Sequence, residues 1–139
     1  MHLVLRVLTT AQALEKAAHH LFKPHGLTPA RFNVLALLAR NPAGLRASDL
    51  ASALIVDPSN VTGLLKRMKK ENLLVELENK RDRRQYIVGL SPKGRAVWRR
   101  AHREYEKRLA ALIAPLSTSE HCAAENVLQM LTEGAADLS

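Results

Sequence analysis

A mainly helical fold with one small β-hairpin is what this sequence predicts, and three observations predict it. Apolar residues recur at helical spacing through most of the chain. Thr28-Pro29, Asp57-Pro58 and Ser91-Pro92 each place a capping oxygen before a proline. The oxygen accepts from an orphan N–H, and proline at the first helical position has no N–H to lose. Only residues 73–90 change period, into two short runs of strand character around a polar segment. At 139 residues, 47% of them hydrophobic, the chain suits one domain with a core of its own.

The elements follow in order. Residues 2–23 read as a helix, with Leu3, Val7, Leu14, Ala18 and Leu21 in one stripe that Leu8, Ala11 and Phe22 widen. Pro24-His25-Gly26 ends it. So broad a stripe at a chain end, where helices fray, calls for a substantial partner, either within the chain or in a second copy. The Thr28-Pro29 cap opens a helix over 29–40, with Phe32, Leu35 and Leu38 or Ala39 inward, and Asn41-Pro42-Ala43-Gly44 breaks it. A short helix over 46–54 turns Leu50, Ala51 and Leu54 inward. Its start is weak, because Arg46 offers no acceptor. The turn Ile55-Val56-Asp57 leads into a helix over 58–72. Leu73–Leu77 and Gln85–Leu90 then form the hairpin, with Glu78–Arg84 as a charged tip. A long helix runs from Pro92 to about Ala114 through Val97, Trp98, Ala101, Tyr105, Leu109, Leu112 and Ile113, until Pro115. Ser117 and Glu120 form a capping box for a last helix over 118–133, holding Ala124, Val127, Leu128 and Leu131.

The formal net charge is +8, and its placement says more than its size. Residues 40–100 hold fourteen Lys/Arg against six Asp/Glu, whereas the flanks hold seven of each. An excess gathered in mid-chain attracts polyanions, either nucleic acid or an anionic membrane face; the plainer reading is a solvated basic surface. No apolar run approaches the ~18 residues of a membrane span, and the N-terminus lacks the pattern of a cleavable signal. The single cysteine, Cys122, has no partner for an internal disulfide, and a reducing cytoplasm is expected. Gly-rich phosphate loops, paired-carboxylate motifs and nucleophile elbows are lacking, so neither an enzyme nor a cofactor is expected.

Helix, helix, turn, helix, hairpin is the order of a winged helix-turn-helix. Val61, Leu64, Leu65 and Met68 fall at i, i+3, i+4 and i+7 and pin one face of the 58–72 helix to the core. The remaining faces present Ser59, Asn60, Thr62, Gly63, Lys66, Arg67 and Lys70. Small hydrogen-bonding groups thus come first and cations follow. A reading helix needs that arrangement, because its first turns meet base edges in the major groove while its cations meet phosphates. Gly63 in mid-helix costs about 1 kcal/mol against Ala, so close approach to DNA or to a neighbouring helix must require it. Lys80 and Arg81 at the hairpin tip suit the minor groove or the phosphates. Asp82 would be repelled there and is expected to hold Arg83 or Arg84 and stiffen the tip.

The chain resembles the MarR family of bacterial transcription regulators along essentially its whole length. The resemblance rests on Leu27-Thr28-Pro29-Ala30-Arg31-Phe32-Asn33-Val34-Leu35, on Ser48-Asp49-Leu50-Ala51 and on Asp57–Met68, continuing through Asp82-Arg83-Arg84 and Leu90–Arg95. Each piece is weak alone; their order and spacing make them specific. The resemblance implies one domain over 1–139. Residues 28–91 would form the DNA-binding lobe, and 1–24 with 92–139 would interlock with a second copy. It implies a homodimeric repressor of a pseudo-palindromic operator, associated with the bacterial nucleoid and relieved by a small ligand. Ser59, Asn60, Thr62, Gly63, Lys66 and Arg67 match reading-helix positions; Lys80, Arg81 and Arg84 match the wing. Three residues depart from the family pattern. Asn72 replaces a helix-ending glycine, Leu77 an often polar residue, and Arg46 a capping hydroxyl. Fraying of the short helix, or a phosphate contact by Arg46, is the expected consequence of the last.

Family members often bind small aromatic acids, and Arg31, Trp98, His102 and Tyr105 are the candidates for such a pocket. Trp and Tyr in a helix stripe are equally at home in a core. Other members sense zinc or oxidants. His19, His20, His25, His102 and Glu106 are a possible metal set, with His102 and Glu106 one helical turn apart, but there is no HExxH-like spacing and no metal site is expected. Cys122 reads as structural filler. A zinc- or redox-responsive regulator of the same fold is one alternative, and a non-specific basic nucleic-acid-binding structural protein is the alternative from another class.

Overall fold

The computed structural model describes residues 2–54 and 58–138. The chain divides into two compact units, Met1–Glu104 and Tyr105–Ser139, with the division inside one continuous helix. In the first unit α1 (His2–Phe22) runs into a 3-10 turn at Lys23–His25. Gly26, at φ 70°, stops it: Leu27 N–H bonds to Phe22 O at 3.1 Å and Gly26 N–H to Lys23 O at 3.0 Å. α2 (Pro29–Arg40) begins where expected, with Thr28 Oγ1 accepting from Arg31 N–H at 3.2 Å. Its buried face is broader than expected, with Val34 and Ala36 joining Phe32, Leu35 and Leu38. α3 (Ala47–Leu54) and α4 (Pro58–Lys70) follow, and Leu50, Val61 and Met68 are fully enclosed between the helices.

α4 is stopped as α1 is, by a left-handed residue. Asn72 has φ 63°, Asn72 N–H bonds to Lys69 O at 3.0 Å, and Leu73 N–H bonds to Met68 O at 3.0 Å. Asparagine therefore does the work of the glycine it replaces, since it tolerates that region better than other chiral residues. The stop claims Leu73, so β1 is Leu74–Glu78 and pairs antiparallel with β2 (Tyr86–Leu90), Leu74 opposite Leu90 and Glu78 opposite Tyr86. Leu77 leans over Gly89, where an added Cβ would meet Leu77 Cδ1 at 2.7 Å. A packing role thus explains the apolar residue at that departure from the family pattern.

A third rung joins this hairpin. Leu45 and Val88 exchange two main-chain hydrogen bonds, at 3.0 and 2.8 Å. A one-residue strand has no period to read, which is why the pattern of the sequence gives no sign of it. Gly44, at φ 85°, makes it possible: a Cβ there would lie 2.3 Å from Ile87 Cγ2 and 2.7 Å from Val88 O.

α5 (Pro92–Ile113) starts at Ser91, which is buried. Its hydroxyl accepts from Gly94 N–H at 2.9 Å and donates to Asn72 O, and so joins the start of α5 to the end of α4. At Gly94 a Cβ would lie 2.0 Å from Leu73 O, so only glycine allows this approach. Val97 and Ala101 are buried as expected, whereas Leu112 and Ile113 near the end of α5 are exposed. In the second unit α6 (Thr118–Ala136) starts from the expected capping box: Ser117 Oγ accepts from Glu120 N–H at 3.2 Å, and Ser117 N–H donates to Glu120 Oε2 at 2.8 Å. The Ser117 N–H, joined by the Ser117 hydroxyl donating to the same Oε2 at 2.9 Å, holds the Glu120 carboxyl below its usual range.

The apolar stripes at the chain's ends stay largely uncovered within this chain, which leaves a second copy as the expected partner of the α1 stripe. Leu3, Leu8 and Leu14 on α1 are 53%, 56% and 47% exposed, and only Phe22 of that helix is buried. Ala124, Val127 and Leu128 on α6 are exposed, and Leu131 is half-buried. Cys122 is also exposed, so it fills no core in this chain. Helical spacing reports which residues share a face, not whether the same chain supplies something to cover it.

Candidate nucleic-acid interface

α4 is pinned along one side. Val61, Leu65 and Met68 are buried and Leu64 is half-buried, at the spacing that gives one face of a helix. Asn60, Thr62, Lys66, Arg67 and Lys70 are exposed on the remaining faces. The Ser59 side chain and the turn Ile55-Val56-Asp57 lie outside the described residues. Lys69, half-buried on the same helix, pairs with Glu76 of β1 and ties α4 to the hairpin.

Gly63 separates the two reasons for a mid-helix glycine. Among the described residues, a Cβ there would meet only Arg67 Nη1, at 3.6 Å, which is ordinary contact with the end of a flexible side chain. Packing against a neighbouring helix therefore does not require this glycine.

The hairpin tip holds itself. Asn79 Oδ1 accepts from the N–H groups of Arg81 and Asp82, at 3.0 and 3.3 Å. Asp82 Oδ1 accepts from Arg84 N–H at 3.0 Å, and Gln85 N–H closes the turn on Asp82 O at 3.1 Å. Asp82 stiffens the tip as expected, but through the main chain of Arg84 and not through a guanidinium; Arg83 Nε instead lies 3.6 Å from Glu78 Oε1. Two Asx-type turns are the cause, since the oxygen of a short Asn or Asp side chain reaches an N–H two residues on more easily than that of a long side chain. Lys80, Arg81 and Arg84 are exposed around this scaffold.

Arg46 neither frays the short helix nor stands alone. Nε donates to Asp49 Oδ2 at 2.9 Å, Nη2 to Asp49 Oδ1 at 3.2 Å, and Nη1 to Gln85 Oε1 at 3.2 Å. The paired hydrogen bond raises the guanidinium and holds the Asp49 carboxyl below its usual range.

The candidates for a ligand pocket are dispersed among different tasks. Arg31 forms a bidentate pair with Glu71, at 2.7 and 2.9 Å, joining the start of α2 to the end of α4. That hydrogen-bonded pairing holds the Glu71 carboxyl below its usual range, with Lys93 and Arg67 adding to it. His102 stacks on Trp98, with ring centroids 4.8 Å apart, and lies 6.5 Å from Phe32, which stacks on Phe22 at 4.2 Å. The Trp98 indole N–H is buried and meets no acceptor among the described residues. Tyr105 belongs to the second unit. Among the metal-ligating types, His25 pairs with Glu104 at 2.9 Å, and His19 and His20 lie exposed on α1. Among the described residues, no group of three His, Cys, Asp or Glu side chains is placed to hold a metal. No described helix is long and apolar enough to cross a membrane.

Residues 25–85 match the family model described as "MarR family". The Transcriptional activatory protein BadR of Rhodopseudomonas palustris is 34% identical over 98 residues, spanning 69% of this chain and 56% of that one. The Homoprotocatechuate degradative operon repressor of Escherichia coli is 30% identical over 106 residues, spanning 76% of this chain and 70% of the repressor. In structure, the MepR–DNA complex of S. aureus superposes with a TM-score of 0.80 at 20% identity, covering 98% of this chain and 94% of that one. That structural likeness shows the winged helix fold.

Proposed function

The chain belongs to the MarR family of transcription regulators, and from that premise we propose that it acts as a homodimeric, sequence-specific DNA-binding repressor in the bacterial cytoplasm. The observation that carries the reading is α4, with Val61, Leu65 and Met68 buried and Asn60, Thr62, Lys66, Arg67 and Lys70 turned outward. Ser59 precedes them in the same segment. Asn60 and Thr62 read base edges in this account, and Lys66, Arg67 and Lys70 hold phosphates. Lys80, Arg81 and Arg84 at the hairpin tip grip the adjacent minor groove or its phosphates. Two reading helices in the dimer stand about 34–36 Å apart, one duplex turn, so the operator is pseudo-palindromic. Selection of binding sites from genomic DNA with purified protein tests this. An inverted repeat with half-sites one turn apart is expected, bound with an affinity that falls steeply as salt rises. Equal binding to all duplexes would favour a non-specific basic protein.

Gly63→Ala gives a second test in which two effects have opposite signs. Among the described residues the methyl group meets nothing that must move, so the free protein gains up to ~1 kcal/mol of helix stability. The same methyl group lies on the helix offered to the groove, so duplex affinity falls several-fold. Thermal melting and gel-shift midpoints on one preparation read both effects.

A small aromatic acid is the proposed effector. What supports it is the orphan indole N–H of Trp98 beside the His102 ring, a donor that a carboxylate or phenol oxygen would satisfy. A relative named for homoprotocatechuate, itself an aromatic acid, supports it as well. Trp98 is the single tryptophan, so its fluorescence during titration with a panel of aromatic carboxylates reports occupancy directly.

A further inference from the structure

Three consecutive residues fasten the start of α3 to the hairpin. Gly44 allows the two backbones to touch, Leu45 exchanges two main-chain bonds with Val88, and Arg46 reaches the Gln85 side chain at 3.2 Å. Gln85 is the residue whose N–H closes the tip turn on Asp82 O. Arg46, Asp49, Asn79, Arg81, Asp82 and Gln85 line one cleft between α3 and the tip. Arg46 is thus bonded on one side to the helix that precedes the reading helix, and on the other to the tip that carries Lys80 and Arg81.

We propose that Arg46 is a positioning residue that sets the angle of the hairpin tip relative to α3 and α4, and that it does not itself bind phosphate. Its planar fork is occupied: Asp49 takes Nε and Nη2 in a bidentate pair, and Gln85 takes Nη1. A phosphate approaching that guanidinium would also meet the Asp49 carboxylate and be repelled. A tip held at a set angle pays less ordering entropy when it enters the groove. This inference rests on the DNA-binding reading above.

Two measurements test it, each on Arg46→Lys, Asp49→Asn and Gln85→Ala, after thermal melting has shown that the variants fold. In the free protein, amide hydrogen exchange at Arg81, Asp82, Arg84 and Gln85 is expected to speed up in all three, while Leu65 and Met68 in α4 keep their protection. In titrations of duplex over a range of salt, each variant is expected to lose about fivefold in affinity. The slope against salt should not change, because no phosphate contact is lost. Arg46→Lys separates the alternatives: it keeps the charge and loses the fork, so a phosphate contact would survive it and a positioning role would not. Unaltered exchange at the tip overturns the proposal. So does tighter binding by Asp49→Asn, which would mean that releasing the guanidinium frees it for DNA. Wild-type protein that showed no salt-dependent binding would instead bring down the DNA-binding reading, and exchange would still decide whether Arg46 holds the tip.

Discussion

A variant carrying both Lys66→Ala and Arg67→Ala is expected to bind every duplex about a hundredfold more weakly, with a salt slope shallower by about two. Both side chains are exposed on α4, opposite the buried Val61, Leu65 and Met68, so their loss leaves the core intact. Counterions released by phosphate contacts supply most of the sequence-independent affinity, and each lost contact removes its own share. Asn60→Ala is expected to behave differently. A side-chain amide that reads a base edge contributes discrimination of about 1–3 kcal/mol at one position, so operator affinity falls toward that of random duplex while random binding barely changes. Fluorescence titration of an operator duplex and a scrambled one, over a range of salt, separates the two effects. Equal affinities for wild type and all variants would mean that α4 faces something other than DNA.

Leu8→Glu on α1 and Leu128→Glu on α6 are each expected to turn the proposed dimer into a monomer and to remove most of its operator affinity. Leu8 is 56% exposed and Leu128 49% exposed, so neither change empties a core position of the single chain. Leu3, Val4, Leu5 and Leu14 on α1 and Leu112, Ile113 and Val127 in the second unit are exposed in the same way, far more apolar surface than isolated residues of a monomer present. A carboxylate forced into either apolar face, once a second copy covers it, loses its hydration without gaining a partner. Two linked lobes hold an operator by effective concentration, so separation costs at least about a hundredfold in affinity. Light scattering reads the mass and circular dichroism the helix content. A variant that stays dimeric would place the partner surface elsewhere.

The elements with local causes are legible in the sequence alone. Thr28-Pro29 and the Ser117–Glu120 box start helices where they were expected, because a cap acts within one turn of its own residue. The polar and cationic side of α4 was equally legible, since Val61, Leu65 and Met68 leave only one way for Asn60, Lys66 and Arg67 to face. Asn72 entered the left-handed region on the strength of its residue type. Less could be read at Arg46, where the lack of an acceptor suggested fraying. Its partners Asp49 and Gln85 stand three and thirty-nine residues away, and the second pairing exists only once the hairpin lies against α3.

Composition, caps and periodicity were sufficient for the helical order, the hairpin, the basic mid-chain and the face that α4 presents, because each arises from interactions within a turn or two of chain. Which apolar stripes are covered, where Leu45 finds a partner, what Arg31 and Arg46 hold, and why Gly63 escapes crowding were decided by folding. Those depend on surfaces that meet only when residues distant in sequence are brought within a few ångströms, and no local rule encodes that distance.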